Sequence, residues 1–355
     1  MTDIRLTEEG WQAVIADGFT FENVARLARA YAVYLLGRGG QRAVVGYDTR
    51  FLSARFAQRV AEVLVGCGLE VHLAKGYLPT PALAFALRHL GADGGVMVTG
   101  GARPAEYAGL VFLDRDGGGL AAEARALLED RLGQPAPEGQ GRLQVLDVRK
   151  AYYQALLAPL DLEALRAYSG VVYHETMGGA TAGWFSGLVK EAGLGLELRE
   201  LHAVPDALFY GVVPSPEPQN LFTLTALLKV EQEPTLALIH DGDGSRLGVG
   251  LAGGRLLSAE EVAALLVFHL YHKGRRGKVV WPKEGGLVEG VARRLGLEVV
   301  RAGPCQEGVL LGGDGTGRLY FGHPQSDGLQ AGVLLLELLA RRGQGLGALL
   351  AGLVE

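Results

Sequence analysis

Three short polar segments interrupt a chain of apolar runs, and each carries residue types that chemistry can use. Residues 99–104 read T-G-G-A-R-P and follow the apolar run 96–98; residues 241–246 read D-G-D-G-S-R and follow the run 236–240. Residues 312–318 read G-G-D-G-T-G-R. The ends of parallel strands are where α/β folds place ligand loops, so position as well as composition marks these segments. Asp241 and Asp243 suit a hard divalent cation, because Mg²⁺ commonly takes one or two carboxylates together with phosphate oxygens and water. A solvated Asp-Gly turn accounts for the same two residues without any ligand. An EF-hand is excluded, since its sixth and twelfth positions, Gly and Glu, are here Arg246 and Ala252. Residues 312–317 lack the G-x-G-x-x-G spacing of a dinucleotide loop. The chain has neither an H-E-x-x-H pair nor a G-x-S-x-G nucleophile elbow, so hydrolase chemistry has no motif. His174, beside Glu175 at the end of an apolar run, has the chemistry of a proton carrier, but a hydrogen-bonded loop histidine is the simpler reading.

The elements that must position these loops can be read from periodicity. Between residues 20 and 36, Phe21, Val24, Leu27, Ala28, Tyr31 and Leu35 recur at spacings of three and four, predicting an amphipathic helix with Thr20 as its N-cap. An apolar run at 43–50, a helical pattern at 53–67, a second run at 71–73, a helix at 81–90 and the run 96–98 then alternate. That alternation predicts a mostly parallel sheet covered by helices. Residues 117–142, rich in Gly, Pro, Glu and Gln, read as turns and a linker. The pattern restarts with a helix at 150–157, strands at 169–173 and 236–240, and a helix after 178–185. It restarts once more with a helix at 259–269, a strand at 278–281 and a helix at 329–339. The expected fold class is α/β: three consecutive similar α/β domains with mixed, mostly parallel sheets, at residues 1–142, 143–250 and 251–355.

Composition narrows the function classes. With 355 residues, 48% apolar and 21% charged, the chain has material for two or three packed cores. A net charge of −5 offers no basic footprint for a phosphate backbone, so nucleic acid is not an expected partner. Two cysteines, Cys67 and Cys305, build no disulfide framework, and the opening M-T-D-I-R-L-T-E-E-G lacks a signal pattern; a cytoplasmic protein without membrane association is expected.

Taken together, the ordered segments resemble the α-D-phosphohexomutases, the phosphoglucomutase and phosphomannomutase family. The resemblance rests on G-W-Q-A-V-I-A-D-G-F-T-F-E-N-V (10–24), V-V-G-Y-D-T-R-F-L-S (44–53), P-T-P-A (79–82), G-A-D-G-G-V-M-V-T-G-G-A-R-P-A-E-Y-A-G (91–109), P-S-P-E-P-Q-N-L (214–221) and the loops at 241 and 312. It implies a mechanism in which a phosphoserine exchanges phosphoryl groups with a hexose phosphate beside Mg²⁺. Aligned with the family's T-A-S-H-N-P loop, Gly101 stands at the serine position, with Ala102 and Arg103 after it. The family's D-G-D-x-D-R metal loop retains Asp241, Asp243 and Arg246 but has Ser245 as its third member, which implies weakened Mg²⁺ binding. Gln12 replaces an arginine, and residues 302–308 lack the expected acid/base lysine. Asp314 and Thr316 keep the chemical types of the sugar-reading G-E-x-S-G loop. Residues 341–353 resemble the end of the family's third domain, so a fourth, phosphate-clamping domain is expected to be absent. These departures imply a catalytically silent relative that binds a hexose phosphate through Arg103, Arg246, Asp314 and Thr316, or that serves a protein partner or a homo-oligomer. The alternative is an active mutase with another phosphate carrier, such as Thr99.

Overall fold

The computed structural model describes residues 4–301, 303 and 308–354. Its strands form three sheets in succession along the chain. The first contains β1 (Trp11–Val14), β2 (Arg42–Tyr47), β3 (Glu70–Ala74), β4 (Gly94–Val98), β5 (Tyr107–Asp114) and β6 (Arg142–Leu146), in the order β1-β5-β4-β2-β3-β6. Strands β2, β3, β4 and β6 pair in parallel, while β5 runs antiparallel to both β4 and β1. Every residue of β4 is buried, as expected of a strand covered by helices on both faces. The helix α1 (Phe21–Gly37) packs the predicted stripe inward, and Thr20 caps it by accepting from the Asn23 amide. Helices α2 (Ser53–Gly66) and α3 (Thr80–Leu90) provide the crossovers between the parallel strands.

The second sheet contains β7 (Val171–Glu175), β8 (Glu197–Leu201), β9 (Thr235–His240), β10 (Leu247–Leu251) and β11 (Arg255–Leu257), ordered β11-β10-β9-β7-β8. The third, smaller sheet contains β12 (Lys278–Val280), β13 (Val299–Val300), β14 (Val309–Gly313) and β15 (Leu319–Tyr320), ordered β13-β12-β14-β15. Each sheet is mixed, with a parallel centre and at least one antiparallel edge. A continuous buried apolar cluster runs from Leu83 and Leu87 through Tyr152 and Trp184 to Leu238, Leu265 and Leu335, joining all three units. No helix among the described residues is long and apolar enough to cross a membrane.

Two boundaries differ from expectation. Residues 117–142 are more than a linker: they include a helix, α4 (Ala122–Asp130), and end at the first residue of β6, which pairs with β3. The first sheet therefore reaches Leu146. The polar composition misled because α4 buries only Leu128 and β6 is an edge strand exposed at its first four residues. Likewise residue 250 lies inside β10, and the hairpin to β11 keeps the second sheet going to Leu257.

Candidate functional site

The loop after β4 is shaped by a buried arginine. Arg50 and Asp48 have fully buried side chains and pair through Nε and Oδ2 (3.1 Å). The remaining guanidinium nitrogens donate to four carbonyls: Nη1 to Pro104 (2.6 Å) and Tyr107 (2.9 Å), Nη2 to Gly101 (2.8 Å) and Arg103 (2.7 Å). Asp48 also accepts from the hydroxyls of Ser53 and Thr99, both at 2.7 Å. Burial pushes the Asp48 carboxyl up and the Arg50 guanidinium down from their ordinary ranges, and each partner's charge opposes that shift. Gly101, at φ 54°, donates its amide to the Thr99 hydroxyl (2.9 Å), and a Cβ built there would meet nothing within 4 Å. Arg103 is exposed and faces the Tyr107 ring, 5.5 Å from its centroid.

The loop after β9 holds its two carboxylates out of water. Asp241 accepts from the Arg246 amide (3.0 Å) and the Ser245 hydroxyl (3.1 Å). Asp243 accepts from the Ser245 amide (3.2 Å) and from the Thr80 hydroxyl (2.5 Å), which crosses from α3. Burial, then the neighbouring Asp243 charge, pushes Asp241 up to about 7. Behind this loop, His174 lies fully buried within β7 rather than in a loop, with Nδ1 3.2 Å from Glu200 and Nε2 3.1 Å from His240. Burial, then His174, pushes His240 down to about 3, so it is neutral at ordinary pH.

The loop between β14 and β15 does not use the residues expected of it. Asp314 accepts from both the amide (2.8 Å) and the hydroxyl (2.7 Å) of Thr316, so these two satisfy each other in an exposed turn. The side chain at the site is Arg318. It pairs with Glu9 at 2.9 Å, and the nearby charges of Asp243, Glu9 and Asp241 hold its pKa above the usual arginine value despite burial. The segment 302–308 falls largely outside the described residues.

The loops of all three sheets meet. At Gly242 a Cβ would stand 2.5 Å from the Gly101 carbonyl, so only glycine permits this approach between the first and second loops. The Thr80 amide donates to the Asp243 carbonyl (2.9 Å), Leu247 donates to Gly317 (3.0 Å), and Arg246 bridges antiparallel to Arg318. Two cavities open on this junction. One, of about 130 Å³, is lined among others by Gln12, Thr80, Gly101, Asp243, Ser245 and Arg318. The other, of about 260 Å³, has Gly101, Arg103, Ser215, Glu217, Arg246 and Arg318 in its wall. Gly101, Asp243 and Ser245 line the first cavity, Gly101, Arg103 and Arg246 the second, while Asp314 and Thr316 line neither. Sequence reasoning assigned no role to Arg50, Thr80, Glu9 or Arg318. The available signal was an arginine closing two of the quoted segments, Y-D-T-R and G-D-G-T-G-R.

A divalent cation fits this donor set poorly. Among the described residues, no three His, Cys, Asp or Glu side chains are grouped to hold a metal. At the third position, Ser245 contributes a neutral hydroxyl whose hydrogen points at Asp241. The two aspartates are left as a pair already supplied with protein donors.

Comparison with known proteins finds family models over the first two units. Residues 4–136 match phosphoglucomutase/phosphomannomutase α/β/α domain I, and residues 150–254 match domain II. A Thermococcus kodakarensis protein named phosphoglucomutase/phosphomannomutase is 26% identical over 94% of this chain and 77% of its own length. A magnesium-bound structure of Aspergillus fumigatus N-acetylphosphoglucosamine mutase with GlcNAc-6P shares the fold at TM-score 0.61 and 14% identity, over 99% of this chain and 80% of that one. A Thermus thermophilus crystal structure, provisionally described as a phosphomannomutase, superposes at TM-score 0.94 with 38% identity, over 99% of this chain and 83% of that one. Matched by the family's models for domains I and II and aligned with relatives across nearly its whole length, the chain belongs to the phosphoglucomutase/phosphomannomutase family.

Proposed function

We propose that this chain binds a hexose phosphate in the cleft between its three sheets and passes no phosphoryl group through residue 101. The observation that carries the reading is the convergence of Arg103, Arg246 and Arg318 on one cavity whose wall at Gly101 has no hydroxyl. Guanidinium groups match phosphate oxygens in charge and fork geometry. Glycine at 101 has no atom that could carry a phosphoryl group.

A second reading, a working mutase with another phosphate carrier, is supported by relatives named as mutases that align with 94% of the chain. Thr99 suits that role poorly: it is 1% exposed, and its hydroxyl already serves Asp48 and Gly101. Thr80, Ser245 and Ser326 are further hydroxyls that line the same cavity as Thr99.

Thermal unfolding with and without glucose 1-phosphate or mannose 1-phosphate tests the binding. At a ligand concentration 100 times Kd, the native state gains about 2.7 kcal/mol, readable as a rise in Tm. No rise with either sugar phosphate, where an unphosphorylated hexose also gives none, overturns the proposal. Intact mass after incubation with a hexose bisphosphate separates the readings: an unmodified chain fits the first, a phosphorylated one the second.

A further inference from the structure

The acidic pair at the centre of the cleft is satisfied by the protein alone. Each of its carboxylate oxygens accepts a hydrogen bond: Asp241 from the Arg246 amide and the Ser245 hydroxyl, Asp243 from the Ser245 amide and the Thr80 hydroxyl. The positive charge sits across from them. The antiparallel bridge between Arg246 and Arg318 sets these residues side by side, because directly opposed residues on neighbouring strands project to the same face. Both line the same cavity. The Arg246 Nε lies 3.8 Å from Asp241 Oδ2, beyond hydrogen-bond reach. Arg318 donates to Glu9, its one side-chain hydrogen bond among the described residues. In both arginines Nε is buried and has no hydrogen-bond partner. A buried donor without an acceptor is costly, and the two arginines that carry these donors line one cavity.

We propose that Arg246 and Arg318 supply the positive charge that holds the phosphate in this cleft, so that phosphate binding here needs no divalent cation. The inference rests on the reading of the cleft as a hexose-phosphate site. A phosphate entering the cavity supplies acceptor oxygens for the two guanidinium groups that line it and neutralises their charge. It would otherwise meet like charge from Glu9 and Glu217 in the wall of this cavity and from Asp243 in the adjoining one. A divalent cation would relieve that repulsion in a site with a third carboxylate, whereas this site has Ser245 and the paired arginines. Arginine stays charged at any ordinary pH and cannot be removed by a chelator, which makes the two arrangements separable by experiment.

Isothermal titration calorimetry of the full chain with glucose 1-phosphate, in excess EDTA and again in Mg²⁺, decides it. The expected dissociation constant agrees between the two buffers within about twofold. Arg318→Gln and Arg246→Gln are each expected to weaken binding about tenfold or more, the scale of a lost charge-assisted hydrogen bond. A thermal melt of each variant confirms that it remains folded. Binding seen only with Mg²⁺, or tightened about tenfold by it, overturns the inference and leaves the hexose-phosphate reading standing. Absence of binding in both buffers overturns the two together. As a second readout, Mn²⁺ titrated into the wild type is expected to remain free by electron paramagnetic resonance, while Ser245→Asp, which supplies a third carboxylate, is expected to capture it. Mn²⁺ bound by the wild type and released by Asp243→Asn contradicts the inference.

Discussion

The loop that contains Gly101 is built around Arg50, whose side chain has no exposure and joins Asp48 to four loop carbonyls. Arg50→Ala leaves the Asp48 carboxylate buried without its counter-charge and removes the frame of the loop, an expected loss of about 3–5 kcal/mol. Urea denaturation measures it; a loss below about 1 kcal/mol would mean the loop is held by something else. The residue scale was also where the sequence was most and least informative. Asp241, Asp243 and Ser245 were legible because three chemically distinctive residues lie within five positions at a strand end. Arg318 was not legible, since its ion-pair partner Glu9 is 309 positions away and only the folded chain brings them together. Asp314 and Thr316 were legible as types yet satisfy one another, because an Asp two residues before a Thr closes its own turn.

Helices and strands with strong periodicity were read closely. The stripe from Phe21 to Leu35 became α1 with its Thr20 cap, and the alternation of apolar runs became the parallel strands β2, β3 and β4. What was missed, α4 and β6, lies where burial is shallow and hydrophobic patterning has little to report. Element packing also depends on a polar group that no pattern marks. Glu337, on the helix Gly328–Arg342, has a fully buried side chain and accepts from the Asp161 amide (2.7 Å) and from Lys273. It also pairs with His269 (2.7 Å), joining its helix to Ala259–His272. Burial alone would raise its pKa, but His269, Lys273 and the Asp161 amide pull it from 4.5 to about 2. Between those values the unfolded chain binds more protons than the native one, so the contribution is complete above pH 4.5 and disappears as pH falls toward 2. Its size is on the order of 3 kcal/mol. Glu337→Ala, which removes the carboxylate partner of Lys273 and His269, is expected to cost about 3–5 kcal/mol at neutral pH and to flatten the acid limb of stability against pH. An unchanged acid limb in that variant would assign acid sensitivity to other carboxylates.

At the scale of the molecule, three sheets share one apolar cluster and turn one loop each toward a common cleft. The loop 241–246 is the hub, bonded to the first unit through Thr80 and to the third through Gly328, with Leu247 directly after it donating to Gly317. The α/β class and the succession of three units could be read from alternating elements. The exact extent of each unit could not, because edge strands β6 and β11 add to sheets past the points where composition changes. On the reading proposed above, this cleft binds hexose phosphates without turning them over. A coupled mutase assay on purified protein tests it, using glucose 1-phosphate and mannose 1-phosphate, Mg²⁺ and a bisphosphate activator, with Asp243→Ala run in parallel against contamination. No conversion above the variant's background is expected. Conversion that survives purification and vanishes in Asp243→Ala would contradict it and place a phosphate carrier elsewhere in the cleft.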